Sequence, residues 1–239
     1  MGYMTDSMNT IDVCPQGIHS YQCDPDLLKE IVSHIEKEPC NDNRVNETTK
    51  DTFLHRREEY QSLVNWFNQC LAHTKQELKH DFIGDYTITQ CWGNKVSSGQ
   101  SHHGHFHSNS LISAIFYLTD SSATTYFKMS SIWNIQTCLN LSKRGYRSET
   151  IGEVNATAGK LLLFPSKLFH GVNPSDDDHP RYTMAFNTWI KGVIGHERDL
   201  DLLELDDVAP PDNRQRPNDI IHYELDRMAK ELLMHGHDG

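Results

Sequence analysis

Apolar residues recur along the chain at two different spacings, and each spacing predicts one kind of element. Near the start they recur every three or four positions, which forms one face of an α-helix. A first such run begins at Asp24 and Pro25, residue types that commonly open a helix, and a second extends from about Arg56 to Lys79. The apolar positions of the two runs are Leu27, Leu28, Ile31, Val32 and Ile35, and Leu63, Val64, Phe67, Leu71 and Leu78. We expect two amphipathic helices, with irregular chain before the first and a loop over 38–50 between them.

Between Phe82 and Ile190 the pattern changes to short apolar runs separated by Gly, Ser, Asn and Asp. Runs of this length, rich in Ile, Thr, Val, Tyr and Phe, are typical of strands in an antiparallel sandwich or barrel. The predicted strands are 84–92, 101–108, 111–119, 123–129, 148–155, 159–165, 168–173 and 181–190. Eight strands suit a jelly roll, in which two sheets close over one core. The predicted fold class is therefore mainly β, with helices on both sides of the β core.

The remaining segments are expected to extend this core rather than to form another. We predict an insertion over the mouth of the core at 130–147, an acidic, loop-like crossing at 197–216 and a closing helix at 218–234. The chain is then a single domain over 1–239. Its parts are an N-terminal helical support over 1–80, a β core over 81–195, and an acidic loop with a C-terminal helix over 196–239.

Composition and charge narrow the classes of function. Among the 239 residues, 22 are Lys or Arg and 33 are Asp or Glu, which gives a net charge of −11. So acidic a chain argues against non-specific nucleic-acid binding, because neutralising phosphates requires clustered Lys and Arg. The sequence has no apolar run long enough to cross a membrane and no apolar leader at its start. Its six cysteines show no Cys-x-x-Cys spacing, so we expect free thiols in a cytoplasmic protein without a membrane partner.

Histidine is the residue type that stands out. Four of the 15 histidines fall within the six residues 102–107, in the order His-His-Gly-His-Phe-His. On a strand, residues two apart face the same way, so His103, His105 and His107 would share one face. Two imidazoles placed in this way can both bind one metal ion if the strand borders a cavity. The alternative is a group of exposed surface histidines without a role.

Two residues further along the chain favour the metal site. His170 stands in a markedly apolar run, where a lone histidine needs a polar partner, and it is the candidate for a third ligand. Arg181 opens the last apolar strand, where a buried cation is costly unless it meets an anion.

These residues belong to an ordered set of motifs that resembles a known family. The motifs are His105-x-His107, Ser113 to Leu118 (SAIFYL), Gly159 to Ser166 (GKLLLFPS) followed by His170, and Arg181 to Asn187 (RYTMAFN). In this order and spacing they resemble the Fe(II)- and 2-oxoglutarate-dependent oxygenases, and among them the "putative 2OG-Fe(II) oxygenase" sub-group with a His-x-His motif. The resemblance covers about 84–190, and the ordered set is more specific than any single motif.

The resemblance implies a double-stranded β-helix, a cupin-like jelly roll, with an iron site between its sheets. It implies Fe(II) ligands at His105 and His170. The co-substrate contacts that it implies are Arg181, on the C5 carboxylate of 2-oxoglutarate, and Thr183, Tyr117 and Ser113. The implied enzyme is a hydroxylase that consumes O2, decarboxylates 2-oxoglutarate to succinate and CO2, and hydroxylates a substrate.

One position departs from the superfamily pattern. Most members have a carboxylate two residues after the first histidine, and this chain has His107. In the arrangement that we favour, all three histidines bind the metal. Alternatively, His107 turns away and leaves room for a halide, as in radical halogenases, or another register such as His103 with His105 supplies the ligands.

Two other functions compete with this interpretation. A cupin-type three-His iron dioxygenase would share the fold and the ligands without using 2-oxoglutarate, and Arg181 would then be dispensable. A non-catalytic β-sandwich that holds a metal ion belongs to a different class and would not turn over 2-oxoglutarate. We expect Asn109 and Asn187 to orient the histidine rings. The pattern leaves open the substrate, a small molecule or a peptide, and the oligomeric state.

Overall fold

A computed structural model describes residues 17–43, 46–128, 151–195, 198 and 201–205. These ranges form two antiparallel β-sheets and two α-helices, which confirms the prediction of a mainly β chain. Across them, no helix is both long and apolar enough to span a membrane.

The larger sheet is built around four strands. They are β4 (Ile83–Val96), β6 (Ile112–Tyr117), β9 (Lys160–Pro165) and β11 (Arg181–Ile194). The order across the sheet is β9-β6-β11-β4, and all neighbours are antiparallel. Four short strands lengthen this sheet, β1 (His19–Gln22) beside β9, β3 (Glu47–Thr49) beside β4, β2 (Cys40–Asp42) beside β3, and β12 (Leu203–Leu205) beside β11.

The smaller sheet holds the other four predicted strands. They are β5 (His102–His105), β7 (Ser121–Lys128), β8 (Ile151–Ala156) and β10 (Phe169–Val172), in the order β5-β10-β7-β8. The two sheets pack through one buried cluster, to which the larger sheet contributes Tyr117, Leu162 and Phe164 and the smaller sheet Phe127 and Ala156. This division of eight strands between two packed sheets is the jelly-roll arrangement that the sequence pattern predicted.

The prediction was wrong for four short segments. The chain is not irregular throughout its start, since it forms β1, and the expected loop over 38–50 contains β2 and β3. Part of the acidic stretch forms β12. These segments lack a clear apolar alternation, and they become strands because the edges of β9, β4 and β11 offer them backbone hydrogen bonds.

The first helix, α1, spans Pro25–Ile35 and begins where the sequence predicts. The carboxylate of Asp24 accepts hydrogen bonds from the backbone N–H groups of Asp26 and Leu27, at 2.9 and 3.3 Å. This satisfies donors that have no partner in the first turn of a helix, and Pro25 has no N–H to lose.

The second helix, α2, spans Gln61–Glu77 and is shorter than the predicted 56–79. Arg57 interrupts the helical path, with φ −86° and ψ 143°, and it separates two short 3-10 turns. Its guanidinium donates to the buried carboxylate of Glu38 at 2.8 Å. This ion pair favours the extended conformation at residue 57, which the apolar spacing could not reveal. The two turns are Leu54–Arg56 and Glu58–Tyr60.

Helix α2 covers the outer face of the larger sheet. The ring of Phe67 lies 5.5 Å from that of Phe116 on β6 and 4.7 Å from that of Phe186 on β11, between ring centroids. All three side chains are fully buried. Because alternate residues of a strand face opposite sides, the neighbours of Phe116 and Phe186 point into the space between the sheets. The helix therefore fixes the two strands that line the site.

One irregularity in the smaller sheet shapes the site. In the pairing of β5 with β10, His105 lies opposite His170 and His102 lies opposite Val172. Three steps along β5 therefore match two steps along β10, which is a β-bulge with one extra residue in β5. A bulge reverses the alternation of side chains, so His102 and His105 both line the cavity between the sheets. The sequence predicted that His103, His105 and His107 share one face. Because of this bulge, His102, and not His103, lines the cavity with His105 and His107.

Several predicted features lie outside the described residues. They are the insertion 130–147, most of the acidic crossing 197–216 and the C-terminal helix 218–234. The division into 1–80, 81–195 and 196–239 stays a prediction. The four described cysteines, Cys23, Cys40, Cys70 and Cys91, are free.

Candidate metal and co-substrate site

Three histidines from neighbouring strands converge between the sheets. His105 ends β5 directly opposite His170 in β10, and His107 follows two residues later. The N–H of His107 donates to the Ser166 carbonyl at 2.9 Å, which holds the chain beside the core after the strand has ended. The candidate ligand nitrogens of the three rings lie within 4.8 Å of one another. The structure thus brings together the three predicted ligands.

Backbone carbonyls orient two of the three rings. The Nδ1 atoms of His105 and His170 each lie 2.9 Å from the carbonyl oxygen two residues earlier, of His103 and Leu168. A carbonyl only accepts, so Nδ1 carries the proton and Nε2 is left with its lone pair. The Nε2 atoms of both rings are therefore available to a metal ion.

The expected orienting residues, Asn109 and Asn187, have other positions. Asn109 is exposed and left-handed, with φ 54°. The side-chain oxygen of Asn187 accepts a hydrogen bond from the Ser113 hydroxyl at 2.9 Å. The carbonyl contacts of the two rings described above take the role that we expected of these side chains.

Burial keeps the three imidazoles neutral. Loss of hydration lowers the pKa of His170 to about 4 and that of His107 to about 3, and it also lowers the pKa of His105. The other histidines add to the shift because a second positive charge nearby would be repelled. Metal binding requires the unprotonated ring, so the cluster is ready for a cation at neutral pH without first releasing protons.

A buried cation shares the cavity with these rings. Arg181, the first residue of β11, is 4% exposed, and its Nε and Nη1 atoms have no hydrogen-bond partner among the described residues. Burial lowers the pKa of the guanidinium, while Tyr117 and Asp177 act in the opposite direction. A guanidinium is a fork of N–H donors that matches a carboxylate. This arrangement therefore fits an anionic group bound in the cavity.

The rest of the described lining is neutral. Apolar walls come from Trp92, Ile115 and Val172, and polar groups come from Asn94 and Thr183. None of the described lining residues is Asp or Glu. Within the described residues, the lining therefore offers a metal ion at this position imidazole nitrogens and no carboxylate.

The three other predicted co-substrate contacts lie at different depths. Thr183 lines the cavity two residues after Arg181 on the same face of β11. Tyr117 is fully buried and donates to the Thr125 hydroxyl at 2.6 Å. Ser113 donates to Oδ1 of Asn187 at 2.9 Å, and its hydroxyl lies 2.8 Å from that of Ser166, beneath the cavity lining.

Sequence reasoning missed two asparagines that line the cavity. Asn46 is 1% exposed and follows β2, and its side-chain Nδ2 lies 3.3 Å from Oδ1 of Asn94 and 3.4 Å from Nδ1 of His102. Neither asparagine belongs to a motif. Asn94 could have been found from alternation along β4, whereas Asn46 reaches the site only because a polar hairpin joins the sheet edge.

Comparisons with known proteins agree with this geometry. Residues 90–187 match the family model described as "Putative 2OG-Fe(II) oxygenase". No curated protein sequence matches the chain.

Solved structures share the fold at low identity. A 2OG-Fe(II) oxygenase family oxidoreductase from Burkholderia pseudomallei has TM-score 0.54 and 10% identity, over 72% of this chain and 84% of that one. HygX from Streptomyces hygroscopicus, solved with nickel, 2-oxoglutarate and hygromycin B, has TM-score 0.52 and 13% identity, over 72% and 82%. A Pseudomonas putida prolyl-4-hydroxylase has TM-score 0.52 and 15% identity, over 72% and 92%.

The matched region carries the elements that build the site. It runs from β4 into β11 and contains the three histidines and Arg181. The family implies Fe(II) and 2-oxoglutarate, and the histidine cluster and the buried guanidinium are chemically suited to them. The ordered motifs and the shared fold therefore agree with the match of residues 90–187 to the "Putative 2OG-Fe(II) oxygenase" model, which describes a family of enzymes.

Proposed function

We propose that this chain is a non-heme, Fe(II)- and 2-oxoglutarate-dependent hydroxylase. Its Fe(II) ligands are His105, His107 and His170, and Arg181 binds the C5 carboxylate of 2-oxoglutarate. The observation that carries the proposal is the pairing, in one cavity, of three converging neutral imidazoles with a buried guanidinium that has two unpartnered nitrogens. Burying the imidazoles or the guanidinium without a partner is costly. The imidazoles would hold the iron that 2-oxoglutarate chelates, and the guanidinium matches the distal carboxylate of 2-oxoglutarate.

Each ligand has a distinct structural basis. His105 and His170 present Nε2 because their Nδ1 protons are held by backbone carbonyls. The ring of His107 stacks on that of His170, with an interplanar angle of 5° and 5.2 Å between centroids, and it lies 6.0 Å from Trp92. This packing supports a role for His107 as the third ligand, and it disfavours the arrangement in which His107 turns away.

Around the co-substrate, the chain supplies orientation and a dry lining. Arg181 neutralises the distal carboxylate, and Thr183 offers a hydroxyl on the same strand face. Tyr117 and Ser113 stay predicted co-substrate contacts behind this layer. Bound Fe(II) and 2-oxoglutarate, with O2, supply the oxidising power for hydroxylation, with succinate and CO2 as the other products. The apolar walls at Trp92 and Val172 limit the access of water.

The substrate is a small molecule or a peptide, and the cavity points to hydrogen bonding as the means of recognising it. Asn46, Asn94 and His102 are neutral groups that line the cavity beside the proposed iron ligands. The pKa of His102 is lowered by burial to about 4, so this residue is also uncharged at neutral pH.

The test is an anaerobic titration of the apo-protein with Fe(II) and then 2-oxoglutarate, followed by absorption spectroscopy. We expect the weak visible charge-transfer band of the chelate to appear with wild type and to be lost in His170→Ala. The exposed His179 provides the matched control, since His179→Ala should keep the band. A band that survives His170→Ala, or no band in wild type, would overturn the proposal.

The competing functions give different results in this titration and in an aerobic turnover assay. A cupin-type dioxygenase would bind Fe(II) without a 2-oxoglutarate band, and Arg181→Ala would leave its activity intact. A non-catalytic metal-binding protein would consume no 2-oxoglutarate with any candidate substrate.

A further inference from the structure

A second triad of histidines lies beside the first. It consists of His102, His103 and His105, and the candidate ligand nitrogens of these three rings are again within 4.8 Å of one another. Ring centroids are 5.1 Å apart for His102 and His103, 4.8 Å for His102 and His105, and 5.6 Å for His103 and His105. The His103 side chain is exposed, whereas the other two are partly buried. The triad therefore reaches from the cavity to solvent.

The β-bulge creates this triad. In a regular strand, His102 and His105 would point to opposite faces, since they are three residues apart. The extra residue in β5 places both in the cavity lining, and His103 closes the group from the solvent side. Iron bound by the inner triad of His105, His107 and His170 would not need His102 and His103 close to His105.

A neighbouring amide can adapt to a metal on His102. Nδ2 of Asn46 lies 3.4 Å from Nδ1 of His102, so in this orientation the amide donates to Nδ1 and the neutral ring carries its proton on Nε2. The buried Oδ1 of Asn46 has no hydrogen-bond partner among the described residues. If the amide turns, this oxygen can accept the Nδ1 proton that the ring must carry when Nε2 binds a cation.

We infer that His102, His103 and His105 form an outer site for a divalent transition-metal ion, exclusive with the inner site. Binding is a ligand exchange in which three imidazoles replace water on the ion, without any change of oxidation state. His105 belongs to both triads and offers one free nitrogen, Nε2, so an ion in the outer site removes a ligand from the inner one. Three imidazole ligands favour Cu²⁺, Ni²⁺ and Zn²⁺ over Mn²⁺ or Mg²⁺.

The experiment measures Ni²⁺ binding to the full-length apo-protein by calorimetry, with two double variants. His107→Ala with His170→Ala removes the inner triad, and His102→Ala with His103→Ala removes the outer one. We expect each double variant to bind one ion above background, and wild type to bind one ion rather than two. The background is the binding left when all five histidines are replaced by Ala, and circular dichroism checks the fold of every variant.

Substitution of the exposed His103 is the decisive test of the outer site. In the variant without the inner triad, His103→Ala should weaken Ni²⁺ binding about ten-fold or more, whereas His179→Ala should not change it. Unchanged binding after His103→Ala, or no binding above background without the inner triad, would overturn the outer site. Two ions bound to wild type would overturn the exclusivity. Neither iron nor 2-oxoglutarate is used, so the result stands apart from the proposed hydroxylase function.

Discussion

At the scale of single residues, Arg181 is the side chain whose environment is hardest to explain without a bound anion. A guanidinium that is 4% exposed and has two unpartnered nitrogens loses hydration without a compensating ion pair in the described chain. Such a residue costs stability in the absence of a ligand. A bound anion would offset this loss of stability. Arg57 differs because it already has an ion pair with Glu38 and needs no ligand.

Arg181→Met should separate binding from stability. We expect 2-oxoglutarate affinity to fall about 100-fold or more, because the paired charge-assisted hydrogen bonds are lost. The melting temperature of the apo-protein should stay the same or rise, since an apolar side chain replaces an unpaired buried charge. Calorimetric titration and thermal melts measure the two effects. A lower melting temperature with unchanged affinity would mean that the guanidinium is structural.

His107→Asp should test the ligand role of the position that departs from the superfamily. An Asp would restore a carboxylate to the facial set, so Fe(II) affinity should equal or exceed that of wild type. His107→Ala should lower Fe(II) affinity about ten-fold or more. Anaerobic metal titration compares the two variants. Equal affinity in wild type and His107→Ala would show that the third imidazole does not bind the ion.

The positions of some site residues could be predicted from sequence motifs, whereas others depend on contacts with strands that are far away in the sequence. His105, His170 and Arg181 belong to motifs with a fixed order, so their convergence could be predicted from the sequence. The turning of His102 into the cavity could not, because it depends on a one-residue mismatch between β5 and β10. Asn46 was equally hidden, since its burial depends on how a hairpin joins β4.

At the scale of elements, the contact between β5 and β10 determines whether the ligands meet. Two glycines allow the strands to approach. A β-carbon on Gly104 would overlap the ring of Phe169, and one on Gly171 would overlap the Tyr126 hydroxyl and lie 2.9 Å from the His102 carbonyl oxygen. These positions need glycine for space, since neither has a left-handed φ.

Gly171→Ala should therefore move β5 away from β10. We expect the metal affinity of the inner site to fall about ten-fold and the free energy of unfolding to fall by about 1–3 kcal/mol, the usual cost of overpacking. The matched control is Gly152→Ala in β8 of the same sheet, where a β-carbon would meet nothing within 4 Å. Denaturant unfolding and metal titration measure both variants. Equal effects of the two substitutions would contradict this explanation.

Element types were predicted well where burial was strong. Both helices and the core strands other than β5 have apolar residues packed on another layer, and their apolar patterns were visible in the sequence. The prediction failed for β1, β2, β3 and β12, whose pairing comes from neighbouring edges, and for the start of α2, where one ion pair outweighs the helical pattern.

At the scale of the whole molecule, the buried neutral histidines link stability to pH. His55 lies beside Arg56, and burial lowers its pKa to about 4 from an ordinary value near 6.5. The unfolded chain therefore binds a proton at a higher pH than the folded chain does. Its contribution to stability is present above pH 6.5 and is lost as the pH falls toward 4.

His55→Gln should reduce this pH dependence. We expect the free energy of unfolding to fall less steeply between pH 6.5 and 4 in the variant than in wild type, because Gln does not titrate. The buried site histidines still titrate in both proteins, so the difference between the two curves isolates His55. Urea unfolding at several pH values measures it. Parallel curves would show that the pKa of His55 is not depressed in the folded state.

The overall architecture was the most predictable level of all. Apart from β7 and β8, which pair within the smaller sheet, consecutive core strands lie in different sheets. This alternation leaves few ways to close a core, and the eight predicted strands form one of them. The four edge strands add width to the larger sheet, and nothing in their own composition required it.

The carbonyl contacts of His105 and His170 have a consequence for how the site tolerates mutation. The groups that orient these rings belong to the main chain of residues 103 and 168, and every amino acid carries the same carbonyl. Substitutions of the side chains at residues 103 and 168 should therefore leave the orientation of the His105 and His170 rings unchanged. Changes that shift the backbone itself, such as a deletion or a proline in β5 or β10, are the ones that would misalign the rings.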